Sequence, residues 1–217
     1  MTPRRRIGRW VKEPFCGLSH GLGAVLSLIG LVVLLVNARQ DSLTIAGVAV
    51  YGISMVVLYT ASFLVHSVRC SARIENRLER IDYAAIFFLI AGTYTPVCLS
   101  TLPDAWGWTI LAAEWALAII GATMVLLRGP GRAWVMLYVP MGWLVLVAAV
   151  PILQRMQTAS LLMLLAGGVI YSVGAVVFVL KKPSLLPGRF GYHDLWHVLV
   201  MAASGCHFVA VLLLTSR

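Results

Sequence analysis

The sequence predicts an all-α membrane protein. It is read as one domain over residues 1–217, with seven transmembrane helices, a short basic segment at 1–17 and a cytoplasmic N-terminus. Three observations carry that expectation. The chain is 60% hydrophobic and only 12% charged, where soluble domains are roughly 45–50% apolar and about 25% charged. Charged residues divide it into seven apolar runs, each able to hold the roughly 20 helical residues that a hydrocarbon core about 30 Å thick requires. Lys and Arg gather on one side of the topology that those runs create.

The runs fix the spans in order. Glu13 to Arg39 gives a span at 18–38, and Asp41 to Arg69 gives 43–66. Asp82 to Asp104 gives 82–101. Asp104 to Arg128, interrupted only by Glu114, gives 106–127. Arg132 to Arg155 gives 133–153, Arg155 to Lys181 gives 158–180, and Asp194 to Arg217 gives 192–214. The first run is too long for the apolar stretch of a cleaved signal peptide and lacks a small-x-small site after it. The longest connection, Ser67 to Ile81, leaves no room for a soluble domain.

Orientation follows from the basic residues. Arg4, Arg5, Arg6, Arg9, Lys12, Arg69, Arg73, Arg77, Arg80, Arg128, Arg132, Lys181, Lys182 and Arg189 fall on one side, and only Arg39, Arg155 and Arg217 on the other. The positive-inside rule then places the N-terminus inside and the C-terminus outside, as in a bacterial inner (plasma) membrane. The net charge of +9 is explained by topology and anionic headgroups, so nucleic acid is not an expected partner. Trp106 and Trp108 fit the outer aromatic belt, Trp10 and Trp134 the inner one. Pro96, Pro140 and Pro151 are expected to kink spans. Gly92, Gly121, Gly167, Gly168 and Gly174 allow helices to approach closely. Cys16, Cys70, Cys98 and Cys206 lie far apart without C-x-x-C spacing, which predicts neither a disulfide framework nor a cysteine metal knuckle.

Polar residues inside the apolar runs carry the functional signal. Ser62 and His66 are four residues apart, as are His193 and His197, so each pair shares a helix face. His66 closes the second span on the inner side, Asp82 opens the third and His193 opens the seventh. At 1.5 Å per residue, Ser62, His66, Asp82, His193 and His197 all fall within roughly 10–15 Å of the cytoplasmic boundary. Three imidazoles suit zinc and leave a fourth tetrahedral position for water. The expected metal ligands are therefore His66, His193 and His197. Asp82 and Ser62 are the expected catalytic pair. Asp82 can hold the water or orient a His, and Ser62 can donate to the water, to Asp82 or to a substrate carbonyl. His20, near the inner boundary, is expected to make an interhelical hydrogen bond or to stand close behind the ligands. His207, about 15 Å deeper than His197, is too far to ligate. Glu114 is expected to pair with a buried Ser, Thr or Trp donor, or to mark an outer cavity.

The same residues resemble the bacterial hemolysin III branch of the progestin and adipoQ receptor superfamily. The matching pieces are Glu13-Pro through Ser19-His-Gly-Leu-Gly, Tyr51-Gly-Ile-Ser-Met, Ser62-x-x-x-His66, Arg80-Ile-Asp82-Tyr, Ala91-Gly-Thr-Tyr-Thr-Pro96 and His193-Asp-Leu-Trp-His197. They cover nearly the whole chain in order. The resemblance implies seven helices with zinc near the cytoplasmic face. It implies His66, His193 and His197 as ligands, Asp82 as an acid reaching zinc through water, and Ser62 as the motif serine. Because the superfamily includes alkaline ceramidases, it also implies a lipid or amide hydrolase, and the family name implies cytolysis.

Three functions are consistent with this reading. One is a zinc-dependent hydrolase taking a membrane lipid or a lipid-like acyl amide from the inner leaflet. Another is a non-enzymatic sensor or receptor in which zinc is structural. The third is a cytolytic membrane protein, which the residues themselves do not support, since no span carries the polar stripe that a pore needs. Oligomeric state is not legible.

Overall fold

A computed structural model describes residues 12–102, 104–186 and 190–216, without the side chains of residues 104, 132 and 133. The basic residues Arg4, Arg5, Arg6, Arg9, Arg189 and Arg217, and Trp10, lie outside the described residues. The helices are α1 (Pro14–Asn37), α2 (Ser42–Ser67), α3 (Ala72–Thr101), α4 (Asp104–Arg128), α5 (Arg132–Val135), α6 (Tyr138–Trp143), α7 (Ala149–Arg155), α8 (Thr158–Leu180) and α9 (Tyr192–Thr215). A 3₁₀ segment, Leu144–Ala148, joins α6 to α7. Among the described residues there is no strand, only the isolated bridges Ala38–Ser216 and Leu186–Phe190. Seven segments are long and apolar enough to cross a membrane, the fifth being Tyr138–Arg155. The fold is the expected all-α, seven-span bundle.

Local chemistry sets the helix ends. Pro14 opens α1, where a missing N–H costs nothing. Asp41 caps α2, its carboxylate accepting the Thr44 N–H at 2.8 Å and the Thr44 hydroxyl at 2.8 Å. Those bonds hold the Asp41 carboxyl below its usual range. Asp194 reaches back from the first turn of α9 to accept the Gly191 N–H at 2.8 Å. Gly129, at φ +89°, ends α4 with its N–H on Val125 O at 2.8 Å. Arg80 Nη1 donates to Leu126 O at 2.8 Å and Leu127 O at 3.1 Å, satisfying the last carbonyls of α4.

Two spans differ from expectation. α3 begins at Ala72, ten residues before the expected boundary at 82. Its first turns carry Arg73, Glu75, Arg77 and Glu79. Hydropathy marks where a helix enters hydrocarbon, and this helix starts well before that point. The fifth span, expected as one helix at 133–153, is broken into α5, α6, the 3₁₀ segment and α7. Pro140 and Pro151 withhold N–H donors there. Tyr94 of α3 compensates. Its hydroxyl accepts the Val145 N–H at 2.7 Å and shares its own proton between Met141 O at 2.8 Å and Gly142 O at 3.1 Å. Irregular backbone at membrane depth survives only with such partners.

Packing runs α1–α2–α3–α4 in sequence order, α8 lies on α9, and α9 closes against α1 and α3. α3 is the most buried of the seven. It can sit so deep because a Cβ on Gly92 would stand 2.3 Å from Ser54 Oγ, so only glycine admits α2 here. The outward faces of α1, α8 and the fifth span expose Leu22, Ile29, Val36, Val147, Val150, Leu162 and Val176. That apolar surface fits acyl chains, not water.

Candidate metal centre

The centre is built where the first turn of α1, the last turn of α2 and the first turns of α9 meet. Glu13 N–H donates to His66 O at 2.9 Å, and Lys12 N–H to Ser67 O at 3.3 Å. These bonds lay the start of α1 along the end of α2. Glu13 Oε2 then accepts a hydrogen bond from His66 Nδ1 at 2.7 Å. An ionised carboxylate only accepts, so Nδ1 carries the proton of this bond, and Nε2 is the ring nitrogen left for a metal. The His66 hydrogen bond is the main reason the Glu13 carboxyl lies below its usual range, against the opposing effect of burial.

Opposite stand His193 and His197, one turn apart on α9. Ring centroids are 5.2 Å apart for His66–His193, 4.7 Å for His66–His197 and 4.9 Å for His193–His197. One ligand atom from each of these three, with Cys16 Sγ, forms a set in which all atoms lie within 4.8 Å of one another. His197 is 2% exposed and its Nδ1 has no hydrogen-bond partner among the described residues. An unpaired nitrogen at that depth is costly in an apolar surrounding unless a cation completes it.

The donor set fits a zinc-sized ion. Tetrahedral bonds of about 2.0 Å to nitrogen and 2.3 Å to sulfur separate donors by roughly 3.3–3.8 Å, so a small inward movement of side chains closes the site. The three histidines predicted as ligands are thus brought together. Asp82 and Ser62 come to the same place without joining the set. Ser62, Asp82 and His66 are neighbours along one wall of a cavity that also receives His193 and His197.

Other expectations need correction. The interhelical hydrogen bond expected of His20 is not made among the described residues, and His20 takes its alternative place close behind the ligands. Its ring lies 3.9 Å from that of His197 and 5.0 Å from that of Tyr59, so the ring takes part in packing. Glu114, 0% exposed, has no hydrogen-bond partner on either oxygen among the described residues. Trp115 Nε1, the indole donor next in sequence, donates instead to Thr95 Oγ1 at 3.2 Å. His207 is structural, as its depth requires. Its Nε2 meets Leu164 O at 3.1 Å, and it fills the notch left by Gly167, where a Cβ would stand 2.1 Å from the ring.

Cys16 and Glu13 were missed. The absence of C-x-x-C spacing is real, yet one cysteine joins three histidines from other helices. The signal was available: Glu13, Cys16 and His20 are spaced i, i+3, i+7, which puts them on one face of the first turns of α1.

The cavity has a volume of about 490 Å³. Its polar end holds Glu13, His20, His66, Asp82 and His193, and its walls run through Leu89, Val97, Leu164 and Val200 to Ile152 of α7. A family profile described as "Haemolysin-III related" matches residues 8–208. The chain belongs to the hemolysin III family. It is 40% identical over 212 residues to "Hemolysin-3" of Bacillus cereus, covering 95% of this chain and 94% of that protein. It is 34% identical over 209 residues to "Hemolysin-3 homolog" of Bacillus subtilis strain 168, covering 93% and 94%. It is 28% identical over 172 residues to human "Monocyte to macrophage differentiation factor", covering 75% and 67%. This hemolysin III chain is an integral membrane protein with a Cys/His cluster able to hold a metal ion.

Proposed function

We propose that this chain is a zinc-dependent hydrolase of a lipid or acyl-amide substrate, working at the cytoplasmic side of a bacterial inner membrane. The observation that carries this reading is the continuity between the donor cluster and an apolar cavity of about 490 Å³. Such a space accepts an acyl chain along its apolar walls while its headgroup linkage meets the histidines. Imidazole with thiolate is a donor set that zinc favours over magnesium or calcium. When bound, zinc supplies Lewis-acid polarisation of a carbonyl and lowers the pKa of water toward about 7. Asp82 takes the proton of the attacking water and delivers it to the leaving amine or alcohol. Ser62 holds the Asp82 carboxylate or the substrate oxygen. Glu13 keeps His66 in the tautomer that offers Nε2 to the ion. The basic residues at the His66 end of the bundle support an inward-facing cluster.

A sensor with structural zinc is the second reading, and one observation favours it: Cys16 makes the set four donors, the number of a closed structural site. The test uses purified protein in lipid nanodiscs. Elemental analysis should find about one zinc per chain. A panel of phospholipids and N-acyl sphingoid amides should yield a product whose release stops in His66→Ala. Asp82→Asn should retain zinc and lose about 10²–10⁴-fold in rate. Full zinc with no turnover on any lipid supports the sensor, and protein without zinc overturns both.

A further inference from the structure

We infer that Cys16 is a fourth metal ligand, so that the site joins three helices and its first coordination shell can close without water. The inference rests on the metal reading above and goes beyond it, because three histidines alone would leave the fourth position open.

The geometry selects Cys16 among four possible donors. Asp82 is outside the set of mutually close ligand atoms, and so is His20. Asp194 is already engaged twice, with Oδ2 on the Gly191 N–H at 2.8 Å and Oδ1 on the Cys16 thiol at 3.3 Å. Cys16 Sγ alone lies within 4.8 Å of all three imidazole donors. It is 3% exposed, against a His197 whose Nδ1 is unpartnered at 2% exposure. A thiol with only structural duties would sit among apolar groups. This one lies among three imidazoles and a carboxylate.

Charge and proton count agree. In the metal-free state the thiol S–H donates to Asp194. On binding a divalent cation the S–H bond would break as a sulfur–metal bond forms, and one proton would be released, with Asp194 its first acceptor. A coordinated thiol is fully deprotonated. The ion with its thiolate keeps one net positive charge, so the Asp194 carboxylate beside it is attracted where a bare thiolate would repel it. Release of the thiolate from the ion would open the fourth position to the cavity, where Asp82 and Ser62 stand.

Cobalt(II) replacement reads this directly. Wild-type protein loaded with one cobalt per chain should show the intense near-ultraviolet thiolate-to-cobalt band and tetrahedral visible bands. Cys16→Ser should lose the near-ultraviolet band, and Cys206→Ser should keep it. Metal affinity in Cys16→Ser should fall by more than the roughly 10–100-fold that loss of an outer hydrogen-bond partner costs. X-ray absorption on unmodified zinc protein needs no variant. It should find one sulfur at about 2.3 Å beside nitrogens at about 2.0 Å. A nitrogen-and-oxygen shell, or a cobalt spectrum unchanged by Cys16→Ser, overturns the ligand and leaves the histidine site intact. Wild-type protein that binds neither metal overturns the metal reading itself.

Discussion

His66 donates its Nδ1–H to Glu13 Oε2 at 2.7 Å across 53 residues of chain. The bond orients the ring, fixes its tautomer and ties the start of α1 to the end of α2. Imidazole ligands in metal sites generally have such a partner, and losing it lowers affinity about 10–100-fold. Glu13→Gln should therefore retain the fold and weaken zinc binding by that factor, measured by competition with a chromophoric chelator. Glu75→Gln, which removes the surface pair with Lys12, should leave affinity unchanged. Equal affinities in wild type and Glu13→Gln would make the carboxylate a helix-end contact only.

His207 separates packing from ligation. His66→Ala, His193→Ala and His197→Ala should each lower metal content. His207→Ala should keep its metal and lose about 1 kcal/mol for the bond to Leu164 O, with a further loss from the emptied notch at Gly167. Metal analysis and thermal unfolding on the same four samples check both halves. Metal lost from His207→Ala would show that depth along α9 does not divide the two roles.

Glu114 is a buried acid with no hydrogen-bond partner on either oxygen among the described residues. An unsatisfied polar group of this kind costs about 1–3 kcal/mol. Glu114→Met, close in volume and without polar oxygens, should raise the unfolding temperature in detergent. A fall would mean that the carboxyl is tied to the fold by more than its present neighbours.

The charge bias predicts topology. Reporter fusions should place the 67–71 connection in the cytoplasm and residue 216 outside. A cytoplasmic reporter signal after α9 would reverse the proposed orientation and move the cluster to the outer face.

The spans were legible because charges at membrane boundaries are costly to bury and therefore punctuate the sequence. The polar first turns of α3 were not, since nothing apolar marks a helix outside the bilayer. Pro140 and Pro151 announced the irregular fifth span. Its rescue by Tyr94 is a tertiary contact that no local pattern carries. At the centre, His66, His193 and His197 could be read from i, i+4 spacing and depth. Cys16 escaped because its partners come from α2 and α9, so no C-x-x-C spacing announces it. The hydrogen bonds expected of His20 and Glu114 were assumed because buried polar groups ordinarily find partners; His20 instead takes its other expected place, close behind the ligands.

The donor cluster also dictates an order of events during synthesis. Cys16 and Asp194, now in contact, are 178 residues apart in the chain. At 5–20 residues per second, the first turn of α1 waits roughly 10–35 s for α9 to be made. Throughout that interval Cys16 and His66 lack their partners on α9 within a half-built bundle. A chain that stalls before α9 therefore carries Cys16 and His66 without the two histidines that complete the donor set.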